Sequence, residues 1–285
     1  MTDHAPKRLL LLGLPDTGKT TFLAALWHIV QDTDIASSLQ FEKLEGDSKY
    51  LNQISKAWLE CSPVARNPLD TENLAQMILK NGEGDLVTLL FPDLSGESFT
   101  LQWSNRQLTK TYDQSLRQAT GGLLFIHPGK LKKPVRIDTA DPLVQEAARG
   151  APHADDANTA VQWDPEKSPT QVQLVEILQF ISHRDHFQPP FRLAIMISAW
   201  DTIARFKDTP QQWLSKRLPL LDQFLRSNDD SFQTIVYGVS AQGGEYSAAK
   251  NPELLKKSPG NRVQLVGENV KNPHDLTESL KCLIT

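Results

Sequence analysis

The chain has 285 residues, 39% of them hydrophobic and 22% charged, with a net charge of −4. That is enough apolar material for one large core, and no global field calls for nucleic acid or an anionic membrane as partner. Two cysteines, Cys61 and Cys282, make no disulfide framework, and the apolar run at 9–12 is too short for a secretory leader or a membrane segment, so a cytoplasmic chain is expected.

Residues 9–12 are four leucines, the pattern of a short strand buried on both faces. From Thr20 onward Phe22, Leu23, Leu26, Ile29 and Val30 repeat at helical spacing. Between strand and helix stands Gly13-Leu14-Pro15-Asp16-Thr17-Gly18-Lys19-Thr20, which fits G-x-x-x-x-G-K-[ST] at every fixed position. The chemistry explains the residue types. Backbone N–H groups of Gly13, Asp16, Thr17, Gly18, Lys19, Thr20 and Thr21, in a loop turned by Pro15, can wrap a polyphosphate, and the helix N-terminus adds positive potential. The two glycines let the backbone approach closely. Lys19 would reach the β- and γ-phosphates, and the Thr20 hydroxyl would bind Mg²⁺.

Further along, Leu51, Ile54, Trp58 and Leu59 predict a helix, and the proline-containing stretch at 62–71 a loop. Residues 73–80 and 85–91 read as two strands joined by Asn81-Gly82, a hairpin signal. The second strand runs into Asp93-Leu94-Ser95-Gly96, 74 residues after Lys19 (93 − 19). An aspartate there can hold the Mg²⁺ shell while the glycine N–H senses the γ-phosphate. Residues 121–128 and 192–198 are buried-strand patterns, and "TIVYGVS" is a last strand. Residues 129–169 form an irregular insertion with a small basic cluster, for which a solvated surface is the plain alternative. A helix is marked by Val172, Leu174, Val175, Leu178 and Ile181. Thr209 caps another with Pro210 in its first turn, Pro219 kinks or restarts it, and Asp275 caps a final helix carrying Leu276, Leu280 and Leu283. The expected fold is therefore α/β with three layers, a P-loop NTPase. Its sheet is mainly parallel with one antiparallel strand, and helices cover both faces.

This order resembles a Ras-like GTPase core of the translation-factor-related (TRAFAC) class, over residues 1–285 as a single domain, with an extension at 33–70 and the insertion at 129–169. Asp93 to Gly96 match its D-x-x-G. Ser198-Ala199-Trp200-Asp201 stand where the class carries N/T-K-x-D, and Ser240-Ala241-Gln242 where it has S-A-K. The resemblance implies a metal-capping switch threonine, for which Thr71 is placed 22 residues before Asp93 (93 − 71). It implies GTP/GDP and Mg²⁺ as cofactors, with metal ligands Thr20, Thr71 and Asp93. Lys19, Thr71, Gly96 and Glu97 would surround the reacting phosphate, and Asp201, Ser240, Ala241 and Gln242 the base. A carboxylate at Asp201 selects guanine by accepting from its N1–H and amino group, which adenine lacks. Ser198 and Ala199 depart from the usual Asn and Lys, and ATP stays open. So does a plain helix-capping role for Asp201.

Within the class the chain is similar to bacterial double-GTPase-type domains of conflict and signalling gene clusters. The likeness rests on "GLPDTGKTTFLAALW", "DLSGE" and "DLTESLKCLI". It implies a switch coupled to a protein effector or activator, or to a second copy as a homodimer. Ras-type enzymes place a glutamine after D-x-x-G, and here Glu97 stands there. A carboxylate about 4 Å from a phosphate charge is opposed by about 4 kcal/mol at an effective dielectric near 20, roughly a thousandfold in rate. Slow hydrolysis is therefore expected. Arg66 could supply a cis arginine finger, or be a solvated loop residue. A P-loop ATPase or phosphotransferase and a non-hydrolysing nucleotide-held scaffold remain the alternatives. Nothing has zinc-site or G-x-S-x-G spacing. The tryptophans read as packing, with Trp200, beside Asp201, the one that could stack on a base.

Overall fold

A computed structural model describes residues 6–32, 35–63, 76–92, 97–134, 165–204, 207–244 and 252–284, with only the backbone described at Glu97 and Glu166. The strands are β1 (Lys7–Leu12), β2 (Gln40–Glu45), β3 (Gln76–Lys80), β4 (Leu86–Leu90), β5 (Gly121–Ile126), β6 (Phe191–Ile197), β7 (Phe232–Ser240) and β8 (Gln264–Gly267). The helices are α1 (Lys19–Gln31), α2 (Lys49–Leu59), α3 (Glu97–Asn105), α4 (Lys110–Gln118), α5 (Thr170–Ser182), α6 (Pro210–Arg217), α7 (Pro219–Ser227), α8 (Pro252–Lys256), α9 (Pro259–Arg262) and α10 (Glu278–Lys281).

All eight strands join one sheet in the order β2-β3-β4-β1-β5-β6-β7-β8. β1, β4, β5, β6 and β7 pair in parallel where they are neighbours. The β3–β4 hairpin is antiparallel, as its Asn-Gly turn predicts, and Asn81 holds that turn by accepting from the N–H groups of Glu83 and Asp85. The fold class is the expected one, and the sheet is larger at both edges. β2 pairs antiparallel with β3, and β8 pairs antiparallel with β7, adding a second strand that runs against the parallel set. Neither edge strand has a fully apolar face in sequence, which is why neither is predicted.

The central strands are oily because helices cover both sides. One layer packs Leu9, Leu11, Leu123, Phe125, Ala194 and Met196 against α1, α2 and the C-terminal leucines. The other packs Leu10, Leu12, Leu124, Ile195 and Ile197 against α3 to α7. Local signals hold where they are chemical. Thr209 accepts from the Gln212 N–H while the Gln212 side chain accepts from the Thr209 N–H, so α6 starts on a capping box. Pro219 restarts the chain as α7. Asp275 accepts from Thr277 N and Oγ1 and also ties Ser38 N, so it braces the turn ahead of α10 and pins the loop before β2; the N-cap of α10 is Thr277, with no side-chain cap, rather than Asp275 as expected.

Residues 132 and 170 are tied together. Lys132 N donates to Thr170 Oγ1, and Thr170 N donates to the Lys132 carbonyl, both at 2.9 Å. Among the described residues no helix is long and apolar enough to cross a membrane.

Candidate functional site

The glycine loop follows β1 at the carboxyl end of the parallel strands, where open α/β sheets bind ligands. Gly13 has φ +142, and a Cβ there would stand 2.8 Å from the Phe125 carbonyl oxygen. Gly18 has φ +94, and its Cβ would stand 3.1 Å from Ser198 Cβ. Neither position accepts a side chain without strain, so the backbone lies bare along the cradle. Asp16, with φ +58, is a non-glycine residue in the left-handed region, a departure that clusters at functional sites.

α1 begins directly behind this loop. Gly18 is its N-cap, no side chain caps it, and no acidic residue occupies its first turn. Its N-terminal N–H groups and positive potential are directed at the cradle, which suits a phosphate group. Lys19 is 2% exposed, and its Nζ donates to the carbonyls of Gly13 (2.7 Å) and Leu14 (2.9 Å). The Thr17 hydroxyl donates to the Leu14 carbonyl at 2.8 Å. The ammonium is thus held inside the loop rather than spread into solvent. Thr20 and Thr21 follow in the first turn of α1.

The residues expected to face the base lie at the same end of the parallel strands. Ala199 holds φ +47, a left-handed turn that costs about 1–2 kcal/mol for a residue with a Cβ. Asp201 then lies in a short 3₁₀ turn, Trp200–Thr202. Its carboxylate accepts from the Ser240 hydroxyl across from the end of β7. Among the described residues its carboxylate caps no helix. Trp200 is buried with its ring over Gly238, where a Cβ would stand 2.3 Å from Cδ2. Core packing rather than base stacking is its role. Gln242 Nε2 donates to the Gly244 carbonyl at 2.6 Å, which shapes the loop after Ala241.

Two side chains at this edge carry no motif. His127 follows β5, whose last residue Ile126 is in register with Ile197 of β6. It feels the carboxylates of both Asp16 and Asp201, yet burial and then Lys130 hold its pKa below the usual histidine value. Its Nδ1 accepts from the Gly129 N–H at 3.0 Å, so the neutral ring carries its proton on Nε2. Tyr50, on α2, has a buried hydroxyl beside the Thr20 side chain, and burial raises its pKa, with the Thr20 contact pulling the other way. A sequence scan sees His127 as one of several scattered histidines and Tyr50 as helix core. Only the strand register and the α1–α2 packing bring them in.

Thr71, Asp93 and Gly96 lie outside the described residues, as does Arg66, and of Glu97 only the backbone, opening α3, is described. The structure therefore brings together the cradle, Thr20 and the Asp201–Ser240 pair. The chemistry this permits is capture of an anionic polyphosphate next to an oriented carboxylate acceptor.

A model of the family described as Double-GTPase 1 matches residues 10–283. Comparison with curated proteins finds no match. Among solved structures, a protein described as nucleolar GTP-binding protein 1 from Plasmodium falciparum is 12% identical, with 88% of this chain and 87% of that chain covered and a TM-score of 0.37. The signal recognition particle receptor SRb-GTP/SRX complex from Chaetomium thermophilum contains a chain 14% identical, with 86% and 94% covered and a TM-score of 0.39. Era from Aquifex aeolicus, bound to GDP and aluminium fluoride, is 15% identical, with 94% and 60% covered and a TM-score of 0.30.

Proposed function

Because the chain belongs to the Double-GTPase 1 family, and so is a GTP-binding P-loop protein, we propose that it acts as a slow guanine-nucleotide switch that controls a partner protein. Residues 1–285 are read as one Ras-like domain carrying the 33–70 extension and the 129–169 insertion. The observation that carries the guanine reading is a contact. The P-loop Gly18 packs on Ser198, three residues before the Asp201 carboxylate that Ser240 holds. Phosphate cradle and carboxylate acceptor thus share one edge of the sheet.

In this reading the N–H groups from Gly13 to Thr21 bind the phosphates and Lys19 neutralises their charge. Asp201 accepts from the purine N1–H and amino group, with Ala241 and Gln242 beside the base. The Thr20 hydroxyl, with Thr71 and Asp93, would hold Mg²⁺, which offsets charge on the β- and γ-phosphate oxygens. Gly96 would sense the γ-phosphate. Glu97 opposes that charge where a glutamine would orient water, so hydrolysis to GDP and phosphate is slow until an effector, an activator or a second copy completes the site. The likeness to double-GTPase domains of conflict clusters supports a role in bacterial defence, in the cytoplasm.

Phosphate release from GTP with Mg²⁺, followed over hours, tests this. The expected result is slow release that disappears in Lys19→Ala and rises at least tenfold in Glu97→Gln. Absence of release in both the wild type and Glu97→Gln would instead support the second reading, a nucleotide-held scaffold, which the acidic residue at position 97 favours.

A further inference from the structure

The loop after β7 is gripped by an element far away in sequence. Trp58, near the C-terminal end of α2, is fully buried, and its Nε1 donates to the Ala241 carbonyl at 2.7 Å. The Arg262 guanidinium lies 4.5 Å from the centroid of the same indole. Its Nη1 also reaches the Trp58 carbonyl at 3.3 Å and Cys61 Sγ at 2.7 Å. Arg262 supports the loop from below as well. A Cβ at Gly243 would stand 2.6 Å from the Arg262 carbonyl oxygen, so backbone rests on backbone there. Residues 241–243 therefore sit between an indole N–H and the backbone of α9, and the indole is fixed by the cation over its face.

Resting on the reading that this loop faces guanine, we propose that Trp58 is a positioning residue for base recognition. By holding the Ala241 carbonyl it fixes the 241–242 peptide and, through the Ala241 Cα, restrains the preceding peptide, whose Ala241 N–H is directed at the purine. The extension carrying α2 thereby becomes part of guanine specificity, although α2 supplies no atom to the base. Precise placement of a donor matters because a small displacement loses much of its effect on a bound ligand.

The test separates base from phosphate. Trp58→Phe keeps an aromatic ring in the core and removes the indole donor. Affinities are measured by calorimetry for GTP, GDP, ATP and inorganic tripolyphosphate, each with Mg²⁺. Trp27→Phe is the control, because it removes an equivalent indole N–H (to Asn52 Oδ1, 3.0 Å) between α1 and α2, away from the loop. Trp58→Phe should weaken GTP and GDP about tenfold, the size of one lost hydrogen bond, while tripolyphosphate changes less than twofold. Trp27→Phe should change neither. Arg262→Lys, which loosens the indole without removing its donor, should show the same pattern at about threefold, and it serves if Trp58→Phe does not fold. Unchanged GTP affinity, or an equal loss for GTP and tripolyphosphate, overturns the positioning role. A wild type that binds ATP as tightly as GTP overturns the base reading itself, and the inference falls with it.

Discussion

Replacing Lys19 with alanine should abolish tight nucleotide binding. The ammonium is buried in the cradle and donates to the Gly13 and Leu14 carbonyls, so it is already desolvated and oriented before any phosphate arrives. Truncating one member of a buried, hydrogen-bonded charge pair costs several kcal/mol; about 4 kcal/mol corresponds to roughly a thousandfold in Kd. Two carbonyls also lose their donor, which costs stability, so the melting temperature of the variant should fall too. Lys19→Met removes the same donor but keeps the apolar stem, so it excludes the packing loss that alanine adds. Calorimetry should find GTP binding lost in both variants, with the fold retained in circular dichroism. Unchanged GTP affinity in either would mean that this loop does not hold the triphosphate.

Asp201→Asn should shift preference from guanosine toward xanthosine nucleotides. The carboxylate is half-buried and one oxygen is committed to the Ser240 hydroxyl, so its orientation is set from β7. Facing guanine it accepts two N–H groups. An amide offers one acceptor and one donor, which clashes with the guanine amino group and matches the xanthine 2-oxo group. Loss of one bond to a charged acceptor, with two amino groups left facing each other, is worth about 3 kcal/mol, or about a hundredfold for GTP. Competition between GTP and XTP against a fluorescent nucleotide reads this directly. Equal loss of both would mean that Asp201 supports the loop without reading the base.

Much of this site is legible in the sequence because its chemistry is local. The cradle needs glycine at positions 13 and 18, a lysine and a hydroxyl in fixed order, and nothing else in the chain has to be known. The Asn81 turn, the Thr209 capping box and the Pro219 restart are local in the same way. What escapes the sequence depends on distance along the chain. β2 carries a mixed, largely exposed pattern and becomes a strand only because β3 offers it an edge. β8 has four residues and forms by pairing with β7. α4 is strongly polar, with only Tyr112, Ser115 and Leu116 buried, so no apolar stripe announces it. At the site, Trp58 reads as helix core in the sequence. Its bond to Ala241, 183 residues away, exists only once the sheet is closed. Trp200, adjacent to Asp201, looks placed for stacking, yet Gly238 leaves a gap in β7 into which its ring packs. Ser198 and Ala199 also make sense only in three dimensions. The serine lies against Gly18, and the alanine makes the left-handed turn ahead of Asp201.

The central claim is that one edge of this sheet binds a guanine triphosphate through its phosphates and its base together. Calorimetric titration of the wild-type chain with GTP, GDP, ATP and ADP in the presence of Mg²⁺ tests it most directly. The account predicts saturable one-site binding of GTP and GDP, with ATP and ADP at least a hundredfold weaker. Heat signals that are silent for all four nucleotides, or equal affinities for the guanine and adenine series, would contradict it.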